Sequence, residues 1–213
     1  MTRYLISCLV ILGIIAATGT IFFKDYWEHR YDELIARQAR VYRIDEKLVW
    51  SLIYEETYFR AWIIGDADEV GLMQVTPLVA RDWAKETGFK EFERQTAENV
   101  VEFLSDPERN IQVGCWYFEK LREKYRRRPA ETAMTLAAYN AGPSRVEEWT
   151  AATDAATLSE AEFISLIAIP STRAYVSSIL ERYRNDTVSK PTEAAPAARL
   201  PISELISGVS PTE

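Results

Sequence analysis

The sequence predicts a mainly α domain preceded by one transmembrane helix, and three observations carry that reading. Apolar side chains recur at spacings of three and four in successive segments between residues 31 and 183. No run alternates apolar and polar residues as a half-buried strand would. The 213 residues are 47% hydrophobic and 27% charged, which places the chain in the globular class with length for about one domain and its core.

Taken in order, residues 4–23 read YLISCLVILGIIAATGTIFF, without a charged side chain, and match the about 20 apolar residues a helix needs to cross a bilayer. A cleaved signal would have a shorter apolar centre and a small-x-small site. Ala16, Ala17 and Gly19 offer a weak site before Ile21, Phe22 and Phe23 resume the run. Residues 1–24 are therefore expected to be an uncleaved anchor, with cleavage as the alternative. Counting Lys24, Arg30, Arg37, Arg40 and Arg43 against Arg3 would keep the following domain cytoplasmic. That rule weighs little for a long downstream domain, so location has to follow from what the domain does.

Residues 31–43 carry Leu34, Ile35, Ala39 and Tyr42 and predict an amphipathic helix. Asp45 is a predicted N-cap for a helix to about Tyr58, striped by Leu48, Val49, Leu52 and Ile53. Residues 63–71, IIGDADEVG, read as a loop or short irregular hairpin. Helical patterning resumes over 72–84, with Pro77 in a first turn. Further helices are expected over 98–104, from Asp106-Pro107 to about Tyr125, and over 131–139, where Asn140-Ala141-Gly142-Pro143 stops the last of them. Three more follow at 144–150, 159–168 and 171–183. The domain is bounded at 25–185, and residues 186–213, rich in Pro, Ala, Ser and Thr, are expected to form a disordered tail.

Composition also excludes function classes. With 25 Lys and Arg against 32 Asp and Glu, the net charge of −7 gives no field for a phosphate backbone, so nucleic acid is not expected as a partner. Cys8 and Cys115 cannot make a disulfide framework, and the single histidine, His29, has no second ligand at metal-binding spacing. Neither a metal nor another cofactor is expected.

One carboxyl is hard to read as structure alone. Glu56 follows Ile53, Leu52 and Val49 by three, four and seven residues, on the apolar stripe, and then meets Tyr58, Phe59 and Trp62. A carboxyl in such surroundings loses hydration, which raises its pKa toward the range of a general acid. A helix-end glutamate held by a cation or turned to water fits the spacing equally well. Glu55 is a rival at the edge of the stripe, three after Leu52 and seven after Leu48.

At this point the sequence resembles a family. Glu56-Thr57-Tyr58-Phe59, then Gly71-Leu72-Met73-Gln74 with Pro77, then Ala138-Tyr139-Asn140-Ala141-Gly142-Pro143, are similar to the motifs of soluble-type (SLT) lytic transglycosylases, which share a lysozyme-like helical fold. The fifteen residues from Glu56 to Gly71 match the family's interval and select Glu56 over Glu55. Asn110-Ile111 with Gly114 and Tyr117, Arg145-Val146 with Trp149, and Ile169-Pro170 leading to Thr172-Arg173 and Tyr175-Val176 fit as well.

The resemblance implies cleavage of the β-1,4 bond between N-acetylmuramic acid and N-acetylglucosamine in peptidoglycan, without water, leaving 1,6-anhydromuramoyl ends. Glu56 would be the one catalytic carboxyl, acid and then base. Met73 and Gln74 would line the cleft around the sugars, with Thr57 in the place of the family's serine. Tyr139 would hydrogen-bond near the acid, its hydroxyl finding a partner in Glu56, while Asn140 and Tyr175 would contact glycan or stem peptide. The implied setting is the bacterial cell envelope, anchored in the inner membrane and facing the periplasm or wall. Departures stand beside the match. The loop 65–70 lacks the family's Ser and Gly-Ala pattern and is acidic through Asp66, Asp68 and Glu69, and Ser171 replaces a glutamate. Extra carboxylates keep a hydrolytic, goose-lysozyme-like muramidase as an alternative, and an idle peptidoglycan-binding module is a third reading.

Overall fold

The computed structural model describes residues 2–90, 92 and 97–189, with side chains at 11–90, 92, 99–185. Helix α1 (Thr2–His29) leads into α2 (Asp32–Tyr42) and α3 (Glu46–Thr57). An irregular hairpin follows, with antiparallel bridges from Ile64 to Val70 and from Val70 to Val75. Then come α4 (Pro77–Thr87), α5 (Ala97–Ser105), α6 (Pro107–Tyr125), α7 (Glu131–Ala141), α8 (Pro143–Thr150), α9 (Glu160–Leu166) and α10 (Pro170–Ser189). The mainly helical expectation is met, with the hairpin where the two-glycine segment was expected to leave the helical pattern.

Local chemistry explains the helix starts. Asp45 accepts from the Lys47 N–H at 2.9 Å and Asp106 from the Arg109 N–H at 2.9 Å, each filling an orphan donor of its first turn. Thr76 caps α4, and Pro77, Pro107 and Pro143 occupy first turns, where the missing N–H costs nothing. Ser159 and Glu162 form a reciprocal capping box on α9.

Two boundaries differ from expectation. Helical patterning over 72–84 is helix only from Pro77, because Gly71 and Gln74 adopt φ of 74° and 47° and fold residues 71–75 into a tight turn. Of the segment expected from Asp186 to be a disordered tail, residues 186–189 continue α10; the rest, 190–213, lies outside the described residues.

The core gathers around α7, whose Ala133, Met134, Leu136, Ala137 and Ala138 are buried and whose small side chains let α6, α8, α9 and α10 approach. Helix α10 packs along both α3 and α7 and so brings Tyr175, Ser178 and Arg182 to the end of α3.

Helix α1 runs without a break into the domain. Its Trp27 indole donates to the Tyr58 carbonyl at 2.9 Å, the Trp50 indole donates to the Glu28 carbonyl at 3.1 Å, and the Tyr58 hydroxyl donates to the Glu28 carboxylate at 2.9 Å. Among the described residues no helix is long and apolar enough to cross a membrane. The side chains of residues 2–10, which include the first third of the expected span, lie outside them.

Candidate active site

Glu56 stands one residue before the end of α3, half-buried, where that helix meets the turn 71–75 and α10. The Tyr175 hydroxyl on α10 donates to Glu56 Oε1 at 2.6 Å. Burial raises the carboxyl from an ordinary 4.5 to about 7; the Tyr175 hydrogen bond works against that rise, and the charges of Glu69 and Glu55 add to it. No cation is among the groups acting on it. Near neutral pH such a carboxyl can both give and take a proton.

Its neighbour Glu55 meets a different environment. Arg182 lies 3.1 Å from its carboxylate and the Ser178 hydroxyl donates to it at 2.7 Å, while the Arg182 guanidinium sits 4.0 Å above the Tyr54 ring. One helix end thus carries a neutralised glutamate beside one without a cation.

The turn 71–75 is held by side chains rather than by helical bonds. Asn110 of α6, fully buried, accepts from the Met73 N–H at 2.8 Å and donates to the carbonyls of Val70 at 2.7 Å and Leu104 at 2.9 Å. The Thr57 hydroxyl donates to the Leu72 carbonyl at 3.1 Å, locking the turn to the end of α3. At Gly71, φ is positive and a Cβ would collide with the Asn110 amide, so both conformation and space require glycine.

Of the residues singled out from sequence, Glu56, Thr57, Met73, Gln74, Tyr139 and Tyr175 gather around the end of α3, while Asn140, exposed, accepts from the Thr172 hydroxyl at 2.7 Å at the junction of α7 and α10. The hydroxyl on Glu56 is that of Tyr175, not of Tyr139. Tyr139 donates instead to the Met73 carbonyl at 2.7 Å, an acceptor that no described backbone N–H reaches in the tight turn. Burial first, then the charge of Glu56, holds the Tyr139 phenol well above its usual range, so it stays a donor. Thr57 and Met73 are 1% and 0% exposed. Their side chains pack inside, fastening the turn 71–75 to the end of α3, while Gln74 is only partly buried at that turn. Asn110 carries no assigned role in the sequence reading; a lone asparagine on a helix gives no sign that it will span three backbone groups.

The motif spacing and the helical frame agree with what comparison with known proteins shows. The family model for the Transglycosylase SLT domain matches residues 33–161, more than half of the chain. The chain belongs to the SLT transglycosylase family. Membrane-bound lytic murein transglycosylase C of Histophilus somni is 32% identical over 122 residues, covering 55% of this chain and 32% of the relative. Soluble lytic murein transglycosylase of Escherichia coli K12 is 26% identical over 176 residues, covering 78% of this chain and 26% of the relative. The chain thus spans about a third or less of the length of these relatives. Among solved structures, an inactive mutant of lytic transglycosylase Slt from Pseudomonas aeruginosa superposes with a TM-score of 0.62 at 24% identity, over 76% of this chain and 25% of that one. The 70-kDa soluble lytic transglycosylase of Escherichia coli gives 0.62 at 23%, over 75% and 24%. These likenesses show the lysozyme-like fold. Tyr175 lies beyond the segment matched by the family model, and only the packing of α10 brings it to Glu56.

Proposed function

We propose that this chain is a peptidoglycan lytic transglycosylase in which Glu56 serves as acid and then as base. The observation that carries the reading is a carboxyl raised to about 7, held by one phenol and by no cation. Glu56 gives its proton to the glycosidic oxygen as the bond to C1 of the muramoyl residue breaks. The carboxylate left behind takes the proton of the C6 hydroxyl as that oxygen closes on C1, which restores the acid and yields the 1,6-anhydro end. Tyr175 donates to the oxygen Oε1, so its hydrogen bond strengthens when Glu56 is ionised midway. Gln74 and Asn140 are proposed glycan or stem-peptide contacts, with Thr57, Met73 and Tyr139 shaping the wall behind them.

A hydrolytic muramidase would need a second carboxylate to activate water. Asp66 and Asp68 are exposed, and of the three acids in the loop only Glu69 acts on Glu56. The relatives' names support action on murein, and α1 supports an envelope location: Ile11, Leu12, Ile14, Ile15, Ile21, Phe22 and Phe23 are all exposed around it, as on a helix solvated by lipid. On this reading α1 anchors the domain in the inner membrane and the domain faces the wall.

The test is mass spectrometry of muropeptides released from purified peptidoglycan by the full chain and by Glu56→Gln. Anhydromuramoyl ends that vanish in the variant establish the reaction and its acid. Reducing ends replace it with hydrolysis, and binding without release by either protein replaces it with an idle module.

A further inference from the structure

The apolar surface of α1 does not end with the helix. Its charge-free run stops at Phe23, and Lys24 and Asp25 follow at once, which sets the edge of a lipid core there. Trp27 stands one turn further, about 6 Å along the axis and at headgroup depth. Its ring stacks on Phe23 at 5.8 Å and meets Trp62 edge-on at 5.8 Å. Trp62 belongs to the helical domain, on the loop after α3, and is 63% exposed; Ile64, two residues on, is 58% exposed. The junction fixes this arrangement. Besides the bonds that join Trp27 and Glu28 to Tyr58 and Trp50, the Arg30 guanidinium lies 3.3 Å from the centroid of the Trp27 ring and donates to the Phe59 carbonyl. The hairpin carries the constraint onward, because the Gly71 N–H donates to the carbonyl of Ile63 at 2.9 Å. The residue between Trp62 and Ile64 is thereby tied to the turn beside Glu56.

We propose that Trp62 and Ile64 form a lipid-contact surface through which the helical domain itself rests on the headgroup/acyl boundary of the bilayer that α1 enters. This rests on the anchoring of α1 proposed above. Position selects the occupant: a side chain packed on Trp27 lies one ring spacing from a depth that headgroups fill, so any water-borne partner would have to displace them. Chemistry agrees with position. Tryptophan, apolar over its ring and a donor at one edge, is favoured at that depth, and an isoleucine beside it gains by leaving water there. Outside α1 the described residues expose three large hydrophobic side chains, Trp62, Ile64 and Leu78, and two of the three fall within two residues of the contact with α1. The domain is thus seated against the bilayer, and its cleft is held at a fixed height instead of ranging on a tether.

The experiment places single nitroxide labels on the full chain, reconstituted in vesicles of phosphatidylethanolamine and phosphatidylglycerol. The positions are Trp62→Cys, Ile64→Cys and, as a reference, Ala152→Cys on the exposed loop after α8, each in a Cys8→Ser background that keeps the buried Cys115. Electron paramagnetic resonance reads depth from collisions with oxygen and with a water-soluble nickel complex. The labels at 62 and 64 are expected within about 10 Å of the headgroup/acyl boundary, open to oxygen and shielded from nickel, while the label at 152 is open to nickel. Ile64→Cys leaves the Trp27–Trp62 contact intact, so the result does not hang on losing that ring. Release from soluble glycan strands in detergent should match wild type in both variants. Labels at 62 and 64 as open to nickel as the one at 152, on a chain that sediments with the vesicles, overturn the proposal and leave the anchor standing. A chain that stays out of the vesicles overturns both. Labels shielded from nickel and oxygen alike replace lipid with a protein partner, and a loss of release in detergent by both variants makes the surface a glycan contact; either result overturns the proposal. The depth measurement needs no turnover, so a chain that releases no anhydromuramoyl ends would refute the transglycosylase reading while leaving this test intact.

Discussion

The end of α3 and the middle of α6 each hold a shielded glutamate, and they treat it in opposite ways. Glu119 on α6 is 14% exposed at its side chain, with Arg122 at 2.5 Å and Arg126 at 3.2 Å. Burial raises its pKa, Glu123 adds to the rise, and the two arginines offset part of it, so the carboxyl stays above its ordinary range. Glu56 meets burial of the same kind with a phenol as its one compensating partner, and its carboxyl rises to about 7. Burial alone therefore does not make an acid; burial without a cation does. The arginines fasten Glu119 at the C-terminal end of α6, whereas on the proposed reading their absence leaves Glu56 able to exchange a proton.

The comparison is broken most severely at Glu56 itself. Glu56→Gln is expected to lower muropeptide release by 10³-fold or more, because no other group supplies the proton, a loss of roughly 4 kcal/mol of transition-state stabilisation. The same variant should be more stable than wild type at pH 8 by about 2–3 kcal/mol and no more stable at pH 4. The sign follows from proton counting: between 4.5 and about 7 the folded chain holds a proton that the unfolded chain has lost, so stability falls as pH rises through that window. Thermal unfolding at the two pH values reads it.

Arg122→Met sharpens the other side. It leaves Glu119 with Arg126 alone, and destabilisation of about 1–3 kcal/mol is expected near neutral pH, shrinking where the carboxyl is protonated. The pH profile of activity should not move. A shift there would mean that the two glutamates are coupled.

Tyr175→Phe removes the group that favours ionised Glu56. Activity should fall about tenfold and the alkaline limb should move to higher pH, as measured by kcat/KM against pH. Thr57→Val should be the mildest, costing about 1 kcal/mol of unfolding free energy through the lost bond to Leu72, with little change in the pH profile.

The sequence by itself determined the helical frame and the acid's neighbourhood, because both rest on local rules. Spacings of three and four place Glu56 on a buried stripe, and Asp45, Asp106 and the prolines mark helix starts whatever packs against them. The match of Glu56, Gly71 and Tyr139 by interval marks the family for the same reason, as intervals along a chain survive without coordinates. Only the tertiary structure decided which partners each group meets. Asn110 reaches Met73 across 37 residues and Tyr175 reaches Glu56 across 119. Tyr175 takes the place expected of Tyr139 on Glu56 because a tight turn leaves the Met73 carbonyl bare for Tyr139 and α10 lies along α3. Which glutamate keeps a cation and which does not is likewise a matter of distances across the fold, and no periodicity along one helix can contain it.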